Sequence, residues 1–301
     1  MPPPATRAVT ARLPAISHCT VKRDELRTGW RTDFLVHEGA AQILERDDCI
    51  VVRTPDNPAY YWGNFLVLPE APVDDALDHW LQRFAQEVAR GQPACLHVAI
   101  GVSARYAQQQ LPRWREAGFD LHVSAVMRLV PGALRRDVKP ARGSVTVRPL
   151  NFAHEIDALI ELECSDAHGF EVEGYRQYRQ RKFRRYAELH AQGRLHWFGL
   201  WCDGVLAASC GLMREHAQPS STARFQHVMT HPKWRCRGLC TALIEAVSAY
   251  GLDTWCCEQL VMLADPGDTA IGIYRSLGYQ EVDSEWALQR RAPQDRPATA
   301  T

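Results

Sequence analysis

A cluster of positive charge at a predicted helix start is the part of this sequence with the clearest chemical use. The stretch HPKWRCRGLCTALIEAV, from His231 to Val247, is an arginine-rich turn with one glycine that leads into an apolar helix. The amides at a helix start are unpaired and the dipole is positive there, so arginines are locally unfavourable unless an anion lies between them. The turn therefore favours an anion site. A solvated basic turn is the alternative.

The composition limits the classes of protein that can use such a site. The 301 residues suffice for one large domain or two of ordinary size. Acidic and basic residues balance at 35 each, and no apolar run approaches the length of a membrane span. The ten cysteines are scattered without a CxxC pair. We expect a cytoplasmic globular protein with reduced thiols, no metal, and no nucleic-acid or membrane partner.

The second half of the chain alternates between strand and helix patterns in a clear order. SVTVRPL alternates as a strand, Asn151 is suited to cap the helix that follows it, and a long charged helix comes next. Three strand-like segments follow, the first two joined by a hairpin turn at Asp203 and Gly204. The basic turn and its helix, a strand EQLVMLAD, a short helix and a last strand complete the order. A mixed sheet flanked by helices, in the α/β or α+β class, is predicted.

Two motifs in this order resemble those of the GNAT superfamily of acetyl-CoA-dependent N-acyltransferases. The family signature is Arg or Gln, two residues, Gly, one residue, and Gly or Ala; here it is RCRGLC, from Arg235 to Cys240. A second family block ends in a tyrosine followed by "GF" or "GY", and here AIGIYRSLGYQEV supplies Tyr274, Gly278 and Tyr279. The resemblance covers about residues 144–291. Each motif stands in its proper strand–helix setting, which is far more specific than a lone RxxGxG.

The resemblance implies that the turn is a pyrophosphate cradle for coenzyme A. Backbone amides at the helix start would point at the phosphates, and the two arginines would add charge-assisted hydrogen bonds. The preceding strand would lie beside the pantetheine arm and diverge from the strand EQLVMLAD. A Walker-type loop is excluded because no GK[ST] follows the glycine. Cys240 departs from the family pattern, where Gly or Ala is usual. The implied coenzyme-binding residues are Val228, Met229, Thr230, Arg235, Cys236, Arg237, Gly238, Leu239, Cys240 and Thr241.

The resemblance also implies a proton donor, whereas the proton acceptor stays open. Tyr274 would protonate the departing thiolate of coenzyme A, a role that suits a phenol of ordinary pKa; its place in a helical apolar stripe also fits a plain core tyrosine. A carboxylate, a histidine or a water chain must take a proton from the attacking amine. The candidates are Glu173 and Glu215, together with Glu171 and His227.

The first half contains a weak copy of the second half. WREAGFDLHVSAVMRL, beginning at Trp114, aligns without a gap with YRSLGYQEVDSEWALQ, beginning at Tyr274. We infer two tandem GNAT-like domains; coincidence between two α/β segments is the alternative. Where the second half has arginines and a glycine, the first offers only carboxylates, which would repel a pyrophosphate. These are Glu70, Asp74, Asp75 and Asp78.

The predicted organisation divides the chain into five parts. Residues 1–16 and 292–301 are expected to be disordered tails. A degenerate GNAT-like domain is expected over 17–135 and an acetyltransferase domain over 144–291, each a mixed, mostly antiparallel sheet flanked by helices. Residues 136–143, within VPGALRRDVKPARG, form the linker.

The predicted activity is transfer of an acetyl group from acetyl-CoA to a primary amine of a small molecule or protein. One coenzyme is expected per chain, in a monomer or homodimer. A non-catalytic acyl-CoA-binding or interaction module on the same fold is the alternative, because fold alone does not decide function.

Overall fold

The computed structural model describes residues 20–136, 144–167, 169–214 and 222–295. Within these residues, eleven strands form one continuous sheet that is mixed and mostly antiparallel, with helices on both faces. The predicted fold class is confirmed. The elements of the first half are α1 (Thr28–Asp33), β1 (Gln42–Glu45), β2 (Ile50–Arg53), β3 (Phe65–Leu68), α2 (Leu77–Phe84), β4 (Val98–Val102), α3 (Pro112–Glu116) and β5 (Phe119–Leu129).

The second half repeats this order after an added strand and two long helices. Its elements are β6 (Val145–Pro149), α4 (Phe152–Cys164), α5 (Val172–Ala191), β7 (Leu195–Cys202), β8 (Val205–Arg214), β9 (Thr222–Thr230), α6 (Leu239–Ala249), β10 (Gln259–Ala264), α7 (Ala270–Ser276) and β11 (Gln280–Arg290). In each half an antiparallel trio of strands is followed by a helix, a strand parallel to the third, a short helix and a last strand.

Local geometry supports the internal repeat. Both α2 and α6 continue into a single π-helical turn, at Ala85–Ala89 and Tyr250–Thr254. Gly118 and Gly278, which align in the sequence, both adopt positive φ (85° and 101°) just before the last strand of their half. At Gly278 a Cβ atom would overlap the carbonyl of Ala133, so glycine is required there for space as well as for φ.

The two halves exchange their last strands. The sheet order is β1-β2-β3-β4-β11-β5-β10-β9-β8-β7-β6. β11, from the second half, pairs with β4 of the first, and β5, from the first half, pairs with β10 of the second. The two exchanged strands also pair with each other along their length. One hydrogen-bonded sheet therefore joins both halves.

Alternating side chains of the sheet pack against two different helix layers. Along β7, Phe198 and Leu200 join the core beneath α6 and α7, whereas Leu195 and Trp197 join the core beneath α4 and α5. The period of two places these cores on opposite faces. Leu35, which follows α1, packs into the core of α4 and α5, so α1 lies on their face.

Several local predictions are confirmed, and one boundary is corrected. The Asn151 side chain accepts a hydrogen bond from the Ala153 amide (3.0 Å), and Asp203 takes the positive φ of the predicted hairpin turn. The C-terminal tail was predicted to begin at residue 292, but Ala292 is buried and its amide donates to the Tyr61 hydroxyl (2.8 Å). Residues 1–16 and nearly all of the predicted linker lie outside the described residues, so those boundaries stay predictions.

Candidate active site

A wedge-shaped opening in the sheet separates β9 from β10. These parallel strands pair only from Thr222–Arg224 to Gln259–Val261. Beyond Arg224, β9 pairs with β8 on its other side, and beyond Val261, β10 pairs with β5. The strands diverge as the resemblance implied, and the backbone edges of Met229 and Thr230 lie along the opening.

A bulge reshapes β9 inside this opening. Ser209 of β8 pairs with Met229, and Gly211 of β8 pairs with Gln226. Two residues of β9, His227 and Val228, therefore lie opposite the single β8 residue between Ser209 and Gly211. His227 has a φ of 46°, an uncommon conformation for a residue with a side chain. β-Bulges of this kind redirect side chains next to active sites.

The turn after β9 leads into α6, and the N-terminal end of that helix, with its unpaired amides, lies at the end of the opening. Gly238 caps α6 with φ 79° and ψ 4°, a left-handed conformation that glycine adopts without steric cost. The Ala242 amide makes the first hydrogen bond of the helix, to the Gly238 carbonyl (3.1 Å). The amides of Leu239, Cys240 and Thr241 precede that bond, so they form the positive end at which an anion binds.

The two arginines of the turn have different surroundings. Arg237 is exposed and its guanidinium lies over the Trp234 ring, 4.7 Å from the centroid. Arg235 instead donates to the Thr230 carbonyl (3.2 Å) and to the Asp166 carboxylate (2.6 Å). Arg237 is thus the cation free to meet a phosphate, while Arg235 ties the turn to β9 and to the segment after α4.

Tyr274 lies close to the same helix start. It is 5% exposed and belongs to the core beneath α6 and α7. Burial raises the pKa of its phenol, and nearby Cys240, Cys210 and Asp268 raise the pKa further. Burial also raises the pKa of the Cys240 thiol to about 12. The phenol therefore stays protonated at neutral pH, but it is a weaker acid than the phenol of ordinary pKa that was expected for this role.

A cavity of about 760 Å³ opens on the opposite face, where α1 and α5 cover the central strands. Its volume suits a small-molecule ligand. Aromatic rings supply much of its wall, and residues from both halves take part. The aromatic members are Trp30, Tyr60, Tyr61, Trp62, Phe170, Tyr175 and Tyr178.

His227 connects this cavity to the diverging strands. It lines the cavity, and its side chain is 26% exposed. Behind it, the imidazole Nε2 lies 3.7 Å from the carboxylate of fully buried Glu163, which also forms an ion pair with buried Arg179. Burial raises the pKa of Glu163 to about 7, against the opposing effect of Arg179 and Lys182. A histidine backed by a buried carboxylate is a familiar arrangement for a proton acceptor.

The other predicted bases are placed less favourably. Glu171 borders the cavity, but its carboxylate caps α5 by accepting from the amides of Glu173 (2.8 Å) and Gly174 (2.6 Å), and these bonds lower its pKa. Glu173 is exposed, approaches Arg176 (3.7 Å), and does not border the cavity. Glu215 lies outside the described residues.

Sequence reasoning missed the buried charges of this site. Arg179 occupies an apolar stripe on α5 together with Tyr175, Phe183 and Tyr186, all buried. The sequence offered one signal, which is a charged residue at a position of the apolar stripe. A charged residue at such a position is buried only when it has a partner of opposite charge. Its partner, Glu163, lies on another helix, and no local pattern links the two.

The equivalent region of the first half is closed. β3 and β4 stay paired through Leu68 and Val102, and the Ser103 amide extends the ladder to the Leu68 carbonyl (2.8 Å). Three of the four acidic residues predicted to replace the cradle bind Arg113 of α3. That arginine donates to Asp75 (3.3 Å) and Asp78 (3.0 Å), and its amide donates to Asp74 (3.0 Å).

The repeated unit, with one open and one closed strand pair, defines a tandem arrangement of two N-acetyltransferase folds. The Acetyltransferase (GNAT) family model matches residues 156–279, from within α4 to the start of the last strand. That segment therefore has the fold of the GNAT acetyltransferase family. No curated protein matches the chain in sequence.

Solved structures share the architecture of the whole chain. A functionally unknown conserved protein from Staphylococcus epidermidis ATCC 12228 superposes with a TM-score of 0.68 at 14% identity, over 84% of this chain and 95% of that one. A GCN5-related N-acetyltransferase from Kribbella flavida gives 0.58 at 14% identity, over 86% and 93%. A tandem GNAT protein from the clavulanic acid biosynthesis pathway gives 0.54 at 15% identity, over 89% of both chains. At these identities the likeness concerns the fold, and it supports the tandem architecture.

Two other kinds of feature are absent from the described residues. In that part of the chain, no helix is long and apolar enough to cross a membrane. The same residues contain no group of three or more histidine, cysteine, aspartate or glutamate side chains placed to hold a metal ion.

Proposed function

We propose that this protein is an acetyl-CoA-dependent N-acetyltransferase with one coenzyme site, in its second half. The observation that carries the proposal is the meeting of three features at one place. The diverging edges of β9 and β10, the free helix start at Gly238, and the cavity reached through His227 converge there. The family match to residues 156–279 supports the same activity.

The coenzyme would lie along the opening between β9 and β10. Its pyrophosphate would meet the amides of Leu239, Cys240 and Thr241 and the guanidinium of Arg237. Its pantetheine arm would pair with the exposed edge of Met229 and Thr230. Free thiols at the nine cysteines of the described residues suit the cytoplasmic location that we include in this proposal.

His227 and Tyr274 would handle the protons of the transfer. The amine arrives through the cavity and gives a proton to His227, whose Nε2 lies 3.7 Å from the Glu163 carboxylate. The nitrogen of the acceptor amine forms a bond to the carbonyl carbon of the acetyl group, and the bond between that carbon and the sulfur of coenzyme A breaks. Tyr274 then gives its proton to the departing thiolate. Acetamide and free thiol are the products.

The test is thiol release from acetyl-CoA in the presence of a panel of primary amines. Gly238→Val should abolish turnover and calorimetric coenzyme binding, because a β-branched side chain both strains the left-handed turn and fills the cradle. Gly132→Val is the matched control, since Gly132 also has positive φ (82°) but open space around it. Unchanged coenzyme binding in folded Gly238→Val would overturn the cradle. Binding without turnover across the panel would favour the non-catalytic alternative.

A further inference from the structure

One carboxyl group in the cavity stands outside the charge pairs around it. Asp33 binds Arg224 (2.8 Å), and Asp295 accepts from the Tyr61 hydroxyl (2.6 Å). Glu285 also lines the cavity and is 7% exposed, yet its Oε2 has no hydrogen-bond partner among the residues that the structure describes. A buried acceptor without a partner is costly unless a ligand completes it.

The nearest charges do not complete Glu285. Arg224, on β9, is the cation that opposes the burial of this carboxyl, but its two terminal nitrogens donate to the Gly29 carbonyl (2.8 Å), to Thr32 (2.9 Å) and to Asp33, and its Nε has no partner among the described residues. Burial raises the pKa of Glu285 to about 8, and the carboxylates of Asp33 and Asp283 add to this. A cation bound beside Glu285 would favour its ionised form and lower this pKa.

The backbone makes room for this carboxyl. A Cβ atom at Gly29 would overlap the Glu285 carboxylate, so the glycine leaves the space that the carboxyl occupies. The neighbouring residue, Trp30, lines the same cavity, and its ring lies 5.8 Å from the Trp62 ring. Aromatic faces attract cations, so the walls suit the charge that Glu285 lacks.

Glu285 lies too far across the sheet to contact the nitrogen that attacks acetyl-CoA. It pairs with Ser124 on β5, and the next residue of β5, Ala125, pairs with Ala264 at the open end of β10. Neighbouring strands are about 4.8 Å apart, so the backbone of Glu285 is roughly 10 Å across the sheet from the end of β10. A group bound by Glu285 is therefore a second group of the acceptor.

We propose that the acceptor is a diamine or longer polycationic amine, whose distal ammonium binds Glu285 while a primary amine about 10 Å away is acetylated. This inference rests on the proposed function. A competing cation in the cavity, Lys182, lies over the Tyr60 ring (4.4 Å) and donates to the Tyr178 hydroxyl (3.2 Å). An acceptor with an acidic tail would use Lys182 instead of Glu285.

The experiment compares three acceptors with the same carbon chain. Diaminooctane carries an amine at each end, octylamine has a methyl end, and aminooctanoate has a carboxylate end. Diaminooctane should exceed octylamine in kcat/KM by on the order of tenfold to a hundredfold, as expected for one charge-assisted hydrogen bond. Glu285→Gln should bring that ratio close to one. Glu281→Gln, an exposed glutamate of the same strand paired with Arg275, is the matched control and should keep the ratio.

Two further results decide the proposal. A preference for aminooctanoate, or an unchanged ratio in Glu285→Gln, would overturn it. Calorimetry of diaminooctane with the wild-type chain and with Glu285→Gln tests the cation site without turnover. If octylamine is acetylated but diaminooctane binds both proteins equally, the proposed function stands and this inference fails. If no amine is acetylated while diaminooctane binds only the wild type, the proposed function fails and the cation site at Glu285 stands.

Discussion

Replacing Glu163 by glutamine should change the way that stability depends on pH. This carboxyl is fully buried between Arg179 and His227, and its pKa is raised from 4.5 to about 7 because burial outweighs the attraction of Arg179. The folded protein therefore holds this proton more tightly than the unfolded chain does. The resulting stabilisation is fully present below about pH 4.5 and is lost as the pH rises through 7.

The magnitude follows from the size of the shift. A shift from 4.5 to about 7 is worth on the order of 3 kcal/mol, since each pKa unit corresponds to about 1.4 kcal/mol. Most of it, roughly 2–3 kcal/mol, falls between pH 5 and pH 8. Glutamine does not titrate, so the difference in unfolding free energy between wild type and Glu163→Gln should change by that amount across this range. Glu285, His97 and His196 titrate in both proteins and cancel in the difference.

Urea unfolding of both proteins at several pH values from 5 to 8 measures this difference. Glu161→Gln is the matched control, because Glu161 lies two residues away on α4, is exposed, and pairs with Arg176. Its pKa is lowered by that pairing, so its substitution should add no slope over this range. If the difference for Glu163→Gln stays constant with pH, Arg179 keeps Glu163 ionised throughout and the argument from burial is wrong.

Two further predictions concern the coenzyme site. Tyr274→Phe keeps the buried ring but removes the proton donor, so turnover should fall by roughly ten- to ten-thousand-fold with little change in coenzyme binding; wild-type turnover would show that Tyr274 is only a core residue, and Tyr279→Phe, in the same core, is the control. Calorimetric titration should saturate near one coenzyme per chain, because β3 and β4 stay paired and Asp75 and Asp78 bind Arg113 where a cradle would be; a stoichiometry of two would contradict this.

The parts of the fold set by local signals could be predicted from the sequence. Periodicity, the Asn151 cap and the turn at Asp203 located the elements of the second half. The ungapped alignment of Gly118 with Gly278 identified the repeat, because both positions need positive φ at the same point of the unit. These features depend on a few neighbouring residues, so the sequence carries them directly.

The features that depend on distant residues could not be predicted in the same way. The exchange of β5 and β11 pairs residues about 160 positions apart, and either strand would satisfy the same alternation at the edge of its own half. Glu171 was a candidate base, but its carboxylate is used to cap α5. Glu163 was not a candidate, since its importance comes from Arg179 and His227 on other elements.

The strand exchange gives the first half a place in the proposed reaction even though its own cleft is closed. β5 supplies His122 and Ser124 to the floor of the acceptor cavity, and α1 and the following loops supply Trp30 and Tyr60 to its walls. β5 also pairs with β10 along the strand that borders the coenzyme opening. Removing the first half would deprive β10 of that partner and would leave β11 without its partners β4 and β5. On the proposed function, the second half holds the coenzyme and the first half completes the acceptor site, so neither half alone contains the chemistry.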